Sequence, residues 1–446
     1  MNPPARAWLL PHTARIARVA ARIFYRIRVV GEAPPAAGPV LFIANHPNSL
    51  VDPVLVTAAA DRPLRWLAKA PLFDERLVGP LVRATGSIPV YRRQDDPELM
   101  QRNASVFEAV HQALAGGAAV GIFPEGLSHS EPSLARLRTG AARIALGAAD
   151  QADTVVPIVP VGIVLRHKDR FRSKALVLVG RPVKWDDLQG RAEGNADAVH
   201  ELTDRIERAL RDVTVNLEQV EDGPVIECAE SLYAVEFALE RAAREKVRRM
   251  RQATEALSTL RVEDPAAAAE IFARLREFAD SLAVIGLSPR SLEAAIRPRA
   301  AVSWSGQQLL FFLVAAPLAF AGQVVFLVPY QLTDWFANRP GIPRDIRSAR
   351  KLLGGGALYL MWCVLLALLV GWLFGVPGGI AAAVTLPLLA LITLVTRERW
   401  RDAKEDVRRY FVLRRTGDMR SGLLERRREL ALELERLRRM VETSEG

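Results

Sequence analysis

Cysteine is nearly missing from these 446 residues. The chain has two, Cys228 and Cys363, which is too few for a disulfide framework, and no Cys/His spacing offers a zinc site. Acid is missing from residues 1–31, which carry six arginines. Charge of either sign is missing from residues 300–333 and again from 352–396. There is no Gly-x-Ser-x-Gly elbow of the kind that presents a serine nucleophile. No zinc finger or RNP motif is present, so no nucleic-acid partner is expected. The N-terminus lacks a compact apolar core followed by a small-residue cleavage site, which argues against a signal peptide.

What is present is segregated. Half the residues are hydrophobic, a quarter are charged, and the net charge is +10. That mixture fits charged domains beside apolar spans, and the basic excess suits anionic lipid or anionic substrates. Few cysteines are consistent with a reducing compartment. In residues 1–31, Arg15, Arg18, Arg22 and Arg26 share one helical face, and Ile16, Val19, Ile23 and Ile27 share another. The pattern predicts a basic amphipathic helix, either lying on a membrane surface or packed on the next domain. Residues 32–190 alternate short apolar runs with helical stretches. Strands are expected at Val40–Ala44, Leu64–Ala68, Ser87–Tyr91, Ala118–Phe123, Val155–Val161 and Ala175–Val179, with helices near 53–60, 72–84, 98–115 and 136–149. Strands alternating with helices imply an α/β domain with a largely parallel sheet, whose sites sit at the carboxyl ends of strands.

Residues 191–300 look helical and charged and serve as a connector; Asp264-Pro265 has the form of an N-cap with proline in the first helical position. Residues 301–396 hold the charge-free stretches. The second is about twice the length one helix needs to cross a core of roughly 30 Å. Pro377-Gly378-Gly379 divides it, so a hairpin of about 355–376 and 378–396 is expected. The first, about 308–330, reads as a re-entrant or broken segment bent at Pro317 or Gly322, with three full spans as the alternative. The loop 331–354 carries five basic residues against two acids, and the tail 397–446 carries 15 against 11. Basic flanks prefer the cytoplasm, which predicts a multi-pass membrane protein with its α/β domain on that side. The tail has leucines among dense charge and reads as a solvated helix, with self-association as a second use.

The chemistry starts in "LFIANHPNSLVDP", residues 41–53. An apolar strand runs into His46, and Asp52 follows six positions later. A histidine at a strand end can act as general base near neutral pH, given a carboxylate to fix its tautomer and support the imidazolium. Asp52-Pro53 also has the form of an N-cap followed by proline, and one group can serve both roles. Three further stretches accompany it. "GSIPVYRR" (86–93) ends a strand in Arg92 and Arg93, suited to bidentate phosphate binding. "GIFPEGLSHS" (121–130) puts Glu125 and Gly126 straight after a strand, where glycine allows backbone N–H groups to approach a polar substrate. "VVPIVPVGI" (155–163) is an apolar strand with Pro157 and Pro160, suited to lining an acyl pocket.

In this order and spacing, the four stretches resemble motifs I to IV of the glycerolipid acyltransferases, over roughly 25–185. The resemblance implies an α/β fold and transfer of a fatty acyl group from a thioester, on coenzyme A or an acyl-carrier protein, to the hydroxyl of a glycerol phosphate. It implies no cofactor or metal beyond that co-substrate. His46 would take the proton and Asp52 would support it; Arg92 would bind phosphate, with Arg93 weaker; Glu125 and Gly126 would shape the acceptor site; Lys69 would be a further phosphate contact. Two departures stand out. Five residues, not four, separate His46 from Asp52. One extra residue turns a helix by about 100°, so the chain between them must bulge if the two are to meet. This variant resembles the branch acting on glycerol 3-phosphate or dihydroxyacetone phosphate, with a 1-acylglycerol 3-phosphate acceptor as the alternative. Leu127-Ser128-His129 also stands where the family has an arginine, which moves phosphate recognition toward Arg136 or Arg138, with His129 as a further contributor. Competing classes are a serine hydrolase or thioesterase using Ser49 or Ser128, and a membrane scaffold with a decayed catalytic domain.

Overall fold

The computed structural model describes residues 8–444 other than 77, 93–102, 130, 132, 153–154, 166, 192–193, 216–221, 240–241, 294–297, 341–343 and 416. The chain divides into two units, Met1–Glu218 with Pro343–Ala349, and Gln219–Ile342 with Arg350–Gly446. The first is the α/β unit. In chain order it runs α1 (Thr13–Phe24), β1 (Tyr25–Gly31), β2 (Val40–Ala44), α2 (Val51–Ala60), β3 (Leu64–Lys69), α3 (Pro71–Asp74), α4 (Gly79–Ala84), β4 (Ile88–Val90), α5 (Asn103–Ala115), β5 (Ala119–Ile122), α6 (Gly140–Ala152), β6 (Ile158–Leu165), β7 (Ser173–Val179) and α7 (Ala196–Val213).

The seven strands form one sheet in the order β1-β7-β6-β2-β5-β3-β4. All pairings are parallel except β6 with β7. Central β2 is buried along its whole length, as expected of an apolar strand covered by helices on both faces. The largely parallel α/β sheet is therefore as the sequence predicts, and the six expected strands are all present, β2 with the expected bounds and the other five with shifted ends. The seventh, β1, corrects the reading of 1–31 as helix throughout: the helix stops at Phe24, and Tyr25–Gly31 pairs with β7 from Tyr25↔Ser173 to Gly31↔Val179. Its alternating Arg26, Ile27, Arg28 and Val29 extend the periodicity of the helix before it, which hides the change from a 3.6 to a 2.0 repeat.

In α1 the inward face is small and the outward face is large. Ala14, Ala17, Ala21 and Phe24 are buried, while Ile16, Val19 and Ile23 are exposed, as is Trp8 before the helix. The helix packs on α2 through alanines and leaves its branched apolar stripe open. A further correction concerns the connector. Helix α7 belongs to the α/β unit, since it packs on β6 and α6, so the boundary expected near residue 190 falls instead near 218.

The second unit is helical: α8 (Asp222–Glu236), α9 (Ala243–Glu263), α10 (Pro265–Ile285), α11 (Pro298–Val325) and α12 (Leu327–Ala337). A six-residue helix, α13 (Arg344–Ala349), returns to the first unit; a π-helical turn, Arg350–Gly355, then leads into α14 (Gly356–Arg415), followed by α15 (Gly417–Ser444). Asp264 caps α10 by accepting from the Ala267 N–H at 3.0 Å, with Pro265 in the first turn, as read from the sequence. Gly306–Val325 and Arg347–Lys404 are long and apolar enough to cross a membrane.

Gly375 breaks α14, with φ 77° and ψ 173°. Beyond it the chain folds back, because a Cβ on Gly379 would stand 3.1 Å from the Ala367 carbonyl oxygen. In one straight helix those residues would lie about 18 Å apart. The chain therefore reverses at Gly375, between the two apolar segments read from the sequence. The α11 segment behaves differently from expectation. It continues through Pro317 and Gly322, and the break comes at Phe326, before α12.

The tail also differs from a solvated helix. Leu430 and Ala431 of α15 are fully buried, and α15 packs on α8, α9 and α10. Arg427 pairs with Glu236 at 3.0 Å, Arg274 with Glu433 at 2.7 Å, and the Tyr233 hydroxyl donates to Glu435 at 2.5 Å. Leu430 of the stripe is thus used within the chain, while Leu432 stays exposed.

Candidate active site

Strands β2 and β5 are parallel neighbours, with Ile43 opposite Ile122. Whatever follows either strand emerges at the same carboxyl edge, which brings His46 and Glu125 together across 79 residues of sequence. Asn45 extends this edge, donating to the Ile163 carbonyl at 3.1 Å and accepting from the Ile163 N–H at 2.7 Å.

His46 and Asp52 meet. The Nδ1 of His46 lies 2.8 Å from Oδ2 of Asp52, whose carboxylate is fully buried, while the imidazole is 18% exposed. A carboxylate only accepts, so Nδ1 carries the hydrogen and the lone pair falls on Nε2. The bulge demanded by the five-residue spacing is at Ser49, whose φ is +50°. The Ser49 carbonyl accepts from the Asp52 N–H at 3.1 Å, and the Ser49 N–H donates to Ser128 Oγ at 2.9 Å. The N-cap reading of Asp52 is corrected: α2 starts at Val51, and Leu50 is its N-cap. Freed from capping, Asp52 Oδ2 takes a second bond, from the Asn48 N–H at 2.6 Å. Burial pushes the Asp52 carboxyl above its ordinary range, while the imidazole and the Asn48 N–H pull it back down.

The ring plane is set by stacking. His46 lies on Phe123 with centroids 3.9 Å apart and planes within 7°, and Phe123 lies on Trp66 at 4.7 Å. Trp66 is itself pinned, Nε1 donating to Thr57 Oγ1 at 3.0 Å. Sequence reading missed this aromatic pile, although Phe123 sits inside the third motif.

Glu125 is 2% exposed and its oxygens face inward. Oε1 accepts from the His46 N–H at 2.8 Å; Oε2 accepts from the Ala135 N–H at 2.8 Å and lies 2.5 Å from His129 Nε2. It ties the two loops of the site together, with His129 as part of that tie. Gly126 has φ +73°, and a Cβ there would stand 2.6 Å from Arg138 Nε. Arg92 Nη1 donates to the Gly126 carbonyl at 2.9 Å. Two guanidinium side chains from distant loops therefore converge on one glycine, next to the loop that carries the base.

Lys69 is exposed at the end of β3, register-paired with Val90 and so two residues from Arg92. Arg136 is exposed on the loop that carries Arg138. Arg93 lies outside the described residues. Pro157 sits just before β6, its carbonyl accepting from the Leu41 N–H at 2.9 Å, and Pro160 lies within β6 opposite Ile43.

Beneath the loop, the Asn48 amide is fully buried. It donates to Tyr25 Oη at 2.9 Å and to the Lys168 carbonyl at 3.3 Å, and accepts from Ser348 Oγ at 2.8 Å. Neither Asn48 nor Ser348 stands out in the sequence.

Part of this chain is similar to known proteins. Residues 26–164 match the Acyltransferase family. Glycerol-3-phosphate O-acyltransferase 1 of Saccharomyces cerevisiae is 38% identical over 138 residues, which are 30% of this chain and 18% of the yeast protein. Glycerol-3-phosphate O-acyltransferase 2 of the same yeast is 36% identical over 134 residues, 29% of this chain and 18% of its own. A 1-acyl-sn-glycerol-3-phosphate acyltransferase of Chlamydomonas reinhardtii is 28% identical over 141 residues, 31% of this chain and 40% of its own. The chain thus matches less than a fifth of the length of the two yeast relatives, and His46, Asp52, Arg92, Glu125, Gly126 and Arg138 lie inside the 26–164 family match. Over residues 26–164 the chain is thus similar to the Acyltransferase family.

Proposed function

We propose that the protein is a membrane-bound O-acyltransferase that moves a fatty acyl group from a thioester of coenzyme A or acyl-carrier protein to the hydroxyl of glycerol 3-phosphate or dihydroxyacetone phosphate. The observation that carries the reading is the 2.8 Å bond from His46 Nδ1 to a fully buried Asp52, which leaves Nε2 as the basic nitrogen of a partly open ring. Nε2 accepts the proton of the acceptor hydroxyl as its oxygen attacks the thioester carbonyl. The carbon–oxygen bond forms, the carbon–sulfur bond breaks, and the departing thiolate takes the proton back from the imidazolium. Asp52 supports the transient cation; a correctly held acid–base pair of this kind contributes about 10²–10⁴-fold.

Arg92 and Arg138 are the phosphate-binding groups in this reading, with Lys69 at the rim, and Glu125 holds the two loops in register. The acceptor assignment leans on the two yeast relatives. The Chlamydomonas relative favours a second reading, a 1-acylglycerol 3-phosphate acceptor. The exposed Ile16, Val19 and Ile23 stripe with its flanking arginines would rest on anionic lipid, and the apolar hairpin would insert, leaving both flanks and the α/β unit on the cytoplasmic side.

The test is purified full-length protein given a radiolabelled acyl thioester and a panel of acceptors, with products identified by mass. Acylated glycerol 3-phosphate or dihydroxyacetone phosphate is expected, and none with His46→Ala. Product only from 1-acylglycerol 3-phosphate moves the assignment to the second reading. Free fatty acid without acceptor dependence would make it a hydrolase.

A further inference from the structure

Asp52 Oδ2 carries both the bond to the His46 ring and the bond from the Asn48 N–H, so the position of Asn48 decides where the carboxylate points. Asn48 sits in a loop that has no regular partner strand and precedes Ser49 with its positive φ. A non-glycine residue in that region persists only where its surroundings over-determine it. Those surroundings are polar and closed. Both hydrogens of the Asn48 amide are used, on Tyr25 Oη and the Lys168 carbonyl, and its oxygen is met by Ser348 Oγ at 2.8 Å. Tyr25 Oη in turn donates to the Lys168 carbonyl. Ser348 is as fully buried as Asn48, and its Oγ also lies 2.9 Å from the Lys168 carbonyl. The hydroxyl has one hydrogen and two acceptors within reach, of which the Asn48 oxygen is the fully buried one.

Ser348 comes from far away in sequence, 300 residues after Asn48. It lies on α13, and two positions further on Arg350 opens the π-helical turn that leads into the apolar hairpin. The sequence that would enter a bilayer is thus covalently continuous with a side chain that braces the site loop.

We infer that Ser348 is a positioning residue for the His46–Asp52 pair, acting through the Asn48 amide, so that competence of the α/β site requires the segment just before the hairpin. The inference rests on the acyltransferase reading only for its kinetic consequences; the placement of the His46 ring can be followed without turnover. Removing the hydroxyl leaves the Asn48 oxygen buried and unmatched, and the loop relaxes to satisfy it.

Full-length protein in detergent is compared with Ser348→Ala, Ser348→Cys, Asn48→Ala and the double variant Ser348→Ala/Asn48→Ala. Folding of each is checked by thermal unfolding. Ser348→Ala is expected to lower kcat about tenfold, with KM for donor and acceptor within about twofold. Ser348→Cys keeps the volume and a weak donor, and is expected to recover part of the loss. The double variant should be no slower than Asn48→Ala alone, because both act on one chain of contacts. Independently of turnover, modification of His46 by diethyl pyrocarbonate is followed by mass spectrometry across pH. The midpoint should move to lower pH in Ser348→Ala, since an imidazolium less well supported by Asp52 loses its proton sooner. An unmoved midpoint with kcat within twofold of the parent overturns the inference, as do losses that multiply in the double variant. Should the Ala variant not fold, the midpoint is measured on the Cys variant, where a shift upholds the inference and an unmoved value overturns it. A parent protein without acyl transfer, but with the midpoint shift, refutes the acyltransferase reading and leaves the positioning role standing.

Discussion

Asp52 shows how a single side chain trades stability for chemistry. Its carboxyl is fully buried, and burial raises its pKa above the unfolded value. A carboxyl raised in this way costs folding free energy while it is ionised, and the cost is relieved as pH falls through the folded value. Asp52→Asn removes the charge and keeps an oxygen to accept from the Asn48 N–H. Turnover is expected to drop by about 10³–10⁴, because the neutral amide no longer supports the imidazolium. The melting temperature at neutral pH should stay level or rise. Paired kinetic and calorimetric measurements check both, and a large fall in melting temperature would show that Asp52 is needed for folding. Arg92 makes the complementary case. Its Nη1 donates to the Gly126 carbonyl at 2.9 Å, which holds the guanidinium against the loop that carries Glu125. Arg92→Ala should raise KM for a phosphorylated acceptor about 10- to 100-fold, with KM for the donor little changed; an acceptor KM that stays at the parent value would remove it from the phosphate site.

The elements explain which parts of the site were readable. β2 announces itself as five apolar residues running into His46, and the β5 motif announces Glu125. Parallel pairing of those strands follows from the α/β alternation, so the meeting of His46 and Glu125 was within reach of sequence reasoning. The Ser49 bulge was also deducible, because the spacing left no other way for Asp52 to reach the ring. β1 was hidden by arginines that continue the helix pattern, and the α11 break by two residues, Pro317 and Gly322, that look like better bends than Phe326. Asn48 and Ser348 carry no local signal, since their importance lies in a contact between distant parts of the chain. The same holds for α15, whose charges masked a docking face. There partial burial works against the Glu435 carboxylate, but the Tyr233 hydroxyl and the Arg439 and Arg438 guanidinium groups outweigh it and hold the carboxylate at about 2. A depressed carboxyl contributes stability above its unfolded value, and that contribution is lost as pH falls toward about 2. Thermal unfolding of Glu435→Gln against the parent should therefore differ at neutral pH and converge in acid. Leu430→Ala, at a fully buried position, is expected to cost about 2–5 kcal/mol in the same unit.

At the scale of the whole molecule, the proposed membrane reading makes the apolar hairpin the element that decides orientation. Arg350–Gly355 and the stretch after Val395 flank it with basic residues, and the turn at Gly375 returns the chain to the side it left. Single cysteines placed at Arg350, Val376 and Ala403, with Cys228 and Cys363 replaced, can be probed with a membrane-impermeant maleimide. Positions 350 and 403 are expected to react from the same face, the cytoplasmic one, and 376 to be protected from that face. Labelling of 350 and 403 from opposite faces would mean one crossing where a hairpin is inferred.

The bond from Ser348 to Asn48 also gives the molecule a sense of time. At about 5–20 residues per second, roughly 15–60 s of translation separate the two residues on the ribosome. Throughout that interval a nascent chain carries its histidine and aspartate without the hydroxyl that completes their cradle. Newly made protein would finish its site only when the apolar stretch after Ser348 is itself about to emerge, so a chain truncated before that point would be released unready.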